Sequence, residues 1–237
     1  MYREFARFYD GVEGDAPHSF TRWIGARVTR YDVAVESVLE LGSGTGAVLA
    51  ALPEEWEKTG VDISPEMLAE ARRKGVGATF VEADLTRIDL GRRFDLVLCV
   101  FDTVNHLLTP EAWQQAFAVA RAHLRDGGLF LFDLNTLARL RQLAAEPHWV
   151  ADFDDHTLIM KIADRGGDLY DWDVRVFERT GDCYTRHHEV IPETSFHLAD
   201  VRAWLADAGF EVLEIDERYT GRATEQSSRA FAVCRTV

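Results

Sequence analysis

From Ser37 to Leu134 the chain repeats one rhythm, a short apolar run followed by a stretch of helical spacing. "SVLEL" runs into three glycines within five residues, Gly42, Gly44 and Gly46, and "AVLAAL" continues as a helix. "WEKTGVD" reads as a second strand ending at Asp62. In the helix that follows, Ser64 is the cap, Pro65 takes the first position and Glu66 lies in the first turn. "GATFVEAD" is a third strand. "RFDLVLCVF" is a fourth, apolar on both faces as a central parallel strand must be. "TPEAWQQAFAVARAHLRDGG" predicts a helix capped by Thr109 and stopped by a Gly pair, and "GLFLFDL" a fifth strand. Repeated β-α-β units with short links leave one economical solution: an α/β, doubly wound, mostly parallel sheet covered by helices.

The flanks read differently. Two helices are expected before the core, around 2–9 and 18–31. After it, "HTLIMKIAD", "DLYDWDVRVFERTG" and "CYTRHHEVIPETSF" are strand-like runs separated by "RGG" and "TGD", which are hairpin signals. "HLADVRAWLADAG" returns to helix, and "FEVLEIDER" with "SRAFAVCRTV" forms a last strand pair. The expected division is N-terminal helices or lid over 1–36 and a ligand-binding core over 37–145. A small antiparallel insert after strand five covers the site over 146–196, and 197–237 completes the core.

The chain has 237 residues and a formal charge of −14, without the basic stripe that tracks nucleic-acid phosphates. Cys99, Cys183 and Cys234 show no metal-ligand spacing, and two of them sit in apolar runs, which fits a reducing compartment. No signal-like segment opens the sequence, and no apolar run approaches the ~20 residues of a membrane span. The expectation is a cytoplasmic protein with a small-molecule partner, no nucleic acid and no membrane; a homodimer stays open.

A glycine-rich turn between a first strand and a helix lets backbone N–H groups meet a ligand. "GSGTGA" also satisfies the dinucleotide pattern G-x-G-x-x-G/A, whereas a P-loop fails because no GK[ST] follows. Two acids, Glu40 and Asp84, discriminate, and Asp62 suits a nicotinamide dinucleotide and a sulfonium nucleoside equally. Glu40 precedes the turn, where it would repel a pyrophosphate and attract an ammonium or a sulfonium. Asp62 ends strand two, placed for ribose hydroxyls, and Asp84 ends strand three, placed for an adenine amino group.

"VLELGSGTG", "GVDISPEML", "VEADL" and "FDLVLCVFDTVNHL", in this order and spacing, resemble the successive motifs of class I S-adenosylmethionine-dependent methyltransferases of the small-molecule type. The resemblance covers roughly 37–134 and implies a seven-stranded Rossmann-like sheet. It implies that Glu40, Gly42, Ser43, Gly44 and Gly46 line the methionine part of S-adenosylmethionine, whose product is S-adenosylhomocysteine. Asp62 would hold the ribose, Ile63 would pack on the adenine with Met67 alongside, Asp84 and Leu85 would hold its edge, and Phe101 would sit below. "FARFYD" looks like the family's lid, with Tyr9 closing over the cofactor; a half-buried aromatic on an amphipathic helix is the competing reading.

Methyl transfer needs positioning and water exclusion first, and a base only where the acceptor must lose a proton. The acceptor site is expected beyond strands four and five. His106, Asp102 and Asp133 are the catalytic candidates there, His106 as base and the carboxylates for an ammonium or hydroxyl. Asn105, Asn135, Trp172, Arg186 and His188 are the substrate-binding candidates. No metal is expected: Leu134 separates Asp133 from Asn135 where metal-dependent catechol O-methyltransferases have an adjacent pair, and His187 and His188 point oppositely on a strand. "FDTVN" departs from the signature of nucleic-acid amino-methyltransferases. N-methylation of a small metabolite is favoured, with O-methylation as the alternative. A nicotinamide-dependent oxidoreductase and an inactive S-adenosylmethionine-binding partner protein are the readings of another class.

Overall fold

In the computed structural model, residues 2–217 and 221–236 are described. Helices α1 (Ala6–Glu13) and α2 (Ala16–Arg30) precede β1 (Ser37–Leu41), which is buried at every position. The core continues through α3 (Ala47–Ala51), β2 (Glu57–Asp62), α4 (Pro65–Arg73), β3 (Thr79–Glu82) and β4 (Phe94–Cys99). A 3₁₀ turn over Thr103–His106, α5 (Pro110–Ala122), β5 (Leu124–Asn135) and α6 (Leu137–Ala145) follow. The caps act as the sequence predicts: Ser64 Oγ accepts from Met67 N and Thr109 Oγ1 from Ala112 N.

The second half holds β6 (Trp149–Asp152), β7 (His156–Asp164), β8 (Leu169–Thr180) and β9 (Cys183–Thr194). Helix α7 (Leu198–Asp207), β10 (Phe210–Glu217), β11 (Gly221–Arg222) and β12 (Arg229–Thr236) close the chain. The main sheet has the order β11-β10-β12-β5-β4-β1-β2-β3. The first five strands run parallel, and β12 lies antiparallel between β5 and β10. With β2 on one side of β1 and β4 on the other, the winding reverses there, and the crevice that receives ligands opens at the carboxyl ends.

Three details depart from the sequence reading. The main sheet has eight strands instead of seven, because the two-residue β11 extends its edge opposite Asp216 and Glu217. The antiparallel sheet, ordered β6-β7-β8-β9, has four strands instead of three, since "WVAD" pairs with β7. Helix α5 stops at Ala122 and the Gly pair lies inside β5. A Cβ on Gly128 would approach Asp95 O to 2.9 Å, so glycine is what lets β5 pass where its register with β4 shifts.

Apolar layers cover both sheet faces. Trp113, Phe117, Val201 and Leu205 pack on one side with Phe130 and Phe132; Phe20, Trp23, Ile24 and Leu49 pack on the other with Leu96 and Leu98. A third cluster joins Phe5 and Phe8 of the N-terminal segment to Leu158, Val174, Val176 and Ile191 of the second sheet. Glu189 strengthens that join by accepting from the backbone N–H of Arg3 at 2.7 Å and of Phe5 at 3.1 Å. Helix α1 therefore lies between the insert and the core. No helix among the described residues is long and apolar enough to cross a membrane.

Trp113 is fully buried, donates from Nε1 to Leu107 O at 2.7 Å and meets Phe117, Phe196 and Trp204 at steep ring angles. Trp113→Ala is expected to cost about 3–5 kcal/mol, read as a lowered urea midpoint.

Candidate functional site

The glycine turn after β1 is set by close approach. A Cβ on Gly42 would come within 2.2 Å of the Thr103 side chain, and one on Gly46 within 2.9 Å of Phe80; both glycines have positive φ. Gly44, also at positive φ, has nothing within 4 Å of its missing Cβ and faces a cavity of about 840 Å³. Glu40, Ser43, Asp62, Ile63, Met67, Asp84, Leu85 and Phe101 line the same cavity.

Its polar groups are unevenly satisfied. Glu40 is 2 % exposed and its Oε2 has no hydrogen-bond partner among the described residues, nor has Ser43 Oγ. Burial, and then the charge of Asp62, push the Glu40 carboxyl well above its ordinary pKa. A cationic group would relieve that cost. Asp62 is fixed by backbone N–H groups, Oδ2 accepting from Gly44 and Oδ1 from Ser64, each at 2.8 Å. Asp84 Oδ1 accepts from Thr86 N at 2.9 Å and Thr86 Oγ1 at 2.7 Å. Ile63 leaves 59 % of its surface exposed, an apolar patch on the cavity wall.

Helix α1 roofs the space. Asp10 accepts from Thr45 Oγ1 and pairs with Lys74, both at 2.5 Å, so the helix is tied to the glycine turn and to α4. Tyr9 reaches the cavity and meets Tyr2 edge-on at 5.5 Å. Tyr2 also holds His106: its hydroxyl lies 3.2 Å from Nε2, while Nδ1 faces Pro192 O at 3.5 Å. A carbonyl only accepts, so the proton is assigned to Nδ1, and Nε2 accepts from the Tyr2 hydroxyl. Burial lowers the His106 pKa, so the imidazole is neutral near pH 7.

A second cavity of about 480 Å³ lies beyond the first. Tyr2, Tyr9, Glu13 and Phe101 line both. Asp102, Asn135, Arg139, Trp172, Glu193 and Arg229 line the second only. The backbone is forced at the partition: Phe101 and Asp102 take φ 61° and 47°, a costly conformation for residues with a Cβ. Stacking of Phe101 on Phe20 at 4.4 Å and the pairing of Asp102 with Arg229 hold it. Arg229 Nε also pairs with Asp133 at 2.5 Å. Burial alone would lower the Arg229 pKa, but Asp133 and Asp102 outweigh it and keep the guanidinium charged.

The predicted site residues divide accordingly. All twelve cofactor candidates except Gly46 line the larger cavity; Gly46 serves the turn. His106 lines it too. Asp102, Asn135 and Trp172 reach the second cavity, whereas Asp133 is fully buried behind its wall, held by Arg229 and by Asp102 N. Asn105 is also fully buried and ties β5 to β9: Nδ2 donates to Asn135 O and Thr194 O, and Oδ1 accepts from Asn135 N. Arg186 and His188 face away from both cavities. Trp172 sits opposite Ile191 and Val176 opposite His187, so the inward residues of β9 are His187, Glu189, Ile191 and Glu193. Among the described residues no group of three or more His, Cys, Asp or Glu side chains is arranged to hold a metal. Tyr2, Glu13, Arg139, Glu193 and Arg229 were not legible as site residues, because each comes from an element distant in sequence from the glycine turn.

The methyltransferase domain family matches residues 38–128. A candidate methyltransferase of Geobacillus sp. (strain WCH70) is 28 % identical over 99 % of both chains. The dTDP-3-amino-3,6-dideoxy-alpha-D-glucopyranose N,N-dimethyltransferase of Streptomyces fradiae is 31 % identical over 55 % of this chain and 52 % of its own. Among solved structures, the sugar N-methyltransferase KedS8 of Streptoalloteichus sp. superposes with a TM-score of 0.83 at 25 % identity, covering 98 % of this chain and 92 % of its own. Residues 38–128 are a methyltransferase domain, and the chain has the fold of S-adenosylmethionine-dependent methyltransferases. The dinucleotide reading of the glycine turn falls with that finding. In this methyltransferase the family match begins at Val38 in β1 and ends at Gly128 in β5, so α1, which roofs the cavities, and the insert lie outside it.

Arg229 neutralises two carboxylates, and burial already pushes Asp133 upward against its pull. Arg229→Leu is expected to destabilise the methyltransferase by about 3 kcal/mol, the lower end of the range for orphaned buried charges, because the guanidinium keeps 29 % exposure. Without the guanidinium, the Asp133 carboxyl, already raised by burial, is pushed up further and penalises folding more as pH rises. Urea unfolding should therefore show a larger loss at pH 7.5 than at pH 5.

Proposed function

We propose that the larger cavity binds S-adenosylmethionine and that a methyl group passes to an amine nitrogen of a small acceptor in the smaller one. The observation that carries this reading is the partition: two cavities of different lining share Tyr2, Tyr9, Glu13 and Phe101, so a donor in one can meet an acceptor in the other. The unpartnered Glu40 Oε2 and Ser43 Oγ support a fit to a charged amino-acid moiety at the glycine turn. When bound, S-adenosylmethionine supplies an electrophilic methyl group on a positively charged sulfur.

In this reading Glu40 receives the ligand's ammonium, with Gly42, Ser43 and Gly44 along the same moiety. Asp62, already oriented by two backbone N–H groups, accepts from the ribose hydroxyls. Ile63, Met67 and Leu85 pack about the adenine, and Asp84 turns Oδ2, 3.9 Å from Arg87 Nε, to its edge. Phe101 forms the floor, and Tyr9 on the tethered α1 excludes water from above. Displacement is in-line, so holding both reactants against this partition supplies much of the rate. His106 is a neutral residue of the larger cavity whose Nε2 is engaged by Tyr2, which suits it to anchor the N-terminal roof.

An amine acceptor is supported by the acids of the second cavity, Glu13, Asp102 and Glu193, and by relatives named for N-methylation of amino sugars. A nucleic-acid acceptor is disfavoured by the charge of −14. Free cysteines at all three positions suit a reducing cytoplasm.

Incubation with methyl-labelled S-adenosylmethionine and dTDP-3-amino-3,6-dideoxy-α-D-glucopyranose, followed by mass spectrometry, tests the reading. The expected product carries label on the sugar nitrogen; label on oxygen, or none, counts against it. Asp62→Ala should weaken S-adenosylhomocysteine binding by about tenfold to a hundredfold in calorimetry, the value of hydrogen bonds to a charged group.

A further inference from the structure

We infer that Glu13 takes the proton from the acceptor's ammonium nitrogen before methyl transfer, an assignment that rests on the amine reading above. Four residues line both cavities, and three of them are unsuited to the task. Phe101 has no ionisable group. Burial raises the phenols of Tyr2 and Tyr9 well above their ordinary pKa, so neither is a base near neutrality. The other candidates are committed elsewhere. Asp102 is bound by Arg229 and by Asn135 Nδ2, Asp133 lies behind the wall, His106 Nε2 faces the Tyr2 hydroxyl, and Glu193 lines the second cavity only, off the wall shared with the first. Glu13 makes no hydrogen bond or ion pair among the described residues, and it lies on the wall shared by the two cavities.

Its ionisation suits the work. Glu13 is the last residue of α1, where the helix dipole disfavours a negative charge. Burial raises its pKa to about 7, with Asp102, Asp10 and Asp133 adding to the rise and Arg229 opposing it. Tyr2, Tyr9, Glu193 and Arg139 are the other ionisable groups lining the second cavity beside it. A bound sulfonium would draw the pKa below that value. The ionised carboxylate accepts one proton from the ammonium, leaving a neutral amine. The nitrogen lone pair then forms the bond to the methyl carbon as the carbon–sulfur bond breaks, its electron pair passing to sulfur. The positive charge ends on the methylated nitrogen, and Glu13 returns its proton to solvent after release.

The test compares wild type with Glu13→Gln, using dTDP-3-amino-3,6-dideoxy-α-D-glucopyranose as acceptor. Wild-type kcat/KM should show an acid limb at or below pH 7. In E13Q the rate at pH 7 should fall about a hundredfold, and the limb should give way to a tenfold rise per pH unit up to the ionisation of the amine itself. Affinity for S-adenosylhomocysteine should stay within about threefold, since Glu13 neither holds the glycine turn nor ties down α1. A readout free of acceptor accompanies this. A carboxyl whose folded pKa is raised loses stability as pH climbs past its unfolded value, so E13Q should melt higher than wild type at pH 8.5 and nearly equal to it at pH 5. Should E13Q not fold, Glu13→Asp replaces it and should keep the acid limb at reduced rate. Product formation by wild type with an unchanged rate and profile in E13Q overturns the Glu13 assignment alone. Absence of any N-methylated product from wild type overturns the amine reading, and this inference with it.

Discussion

Three close approaches at the carboxyl ends of the parallel strands set the shape of everything around them. Thr103 lies where a Cβ on Gly42 would be, Phe80 where one on Gly46 would be, and Ser43 Oγ within 2.6 Å of where one on Gly60 would be. The ends of β1, β2, β3 and β4 are thereby locked around a turn with no side-chain freedom on its packed side. The other side, at Gly44, is open to the cavity. A turn so constrained presents Glu40 and Ser43 in fixed positions, and leaving their polar atoms unpartnered costs stability.

The second constraint is electrostatic. Arg229, from the antiparallel β12, reaches under the sheet's carboxyl edge to Asp102 and Asp133, holding the left-handed turn at Phe101 and Asp102 against its intrinsic cost. That turn is the partition between the cavities. The N-terminal segment completes it, tied to the core through Asp10 and Ser64 and to the insert through Glu189. A chain that lost the insert would thus loosen α1 as well, and with it the common wall. The carboxylates around the second cavity are not equivalent: Asp102 is neutralised by arginine, Asp133 is sealed away, Glu193 is buried with Oε2 unpartnered, and Glu13 lies on the wall the two cavities share.

Local rules reached far along this sequence. The caps at Ser64 and Thr109, the doubly wound order and the acids at the ends of β1, β2 and β3 follow from spacing within a few residues. Strand alternation put Trp172 and His188 on opposite faces, but nothing local says which face looks inward, and the inward set of β9 is the odd-numbered one. The roles of Asp102 and Asp133 turned on a partner nearly a hundred residues or more away, which no motif around "FDTVNHL" or "FDLN" reveals. Glu13 was hidden for the same reason. An acid at the end of a short amphipathic helix reads as solvent-facing until the insert is seen to press that helix onto the core.

The most direct measurement is a crystal structure of the protein with S-adenosylhomocysteine. The thioether sulfur should face the wall of Tyr9, Glu13 and Phe101, with the amino-acid nitrogen at Glu40 and the ribose at Asp62. A ligand lying the other way along the crevice, or one whose sulfur is walled off from the second cavity, would contradict the two-chamber arrangement.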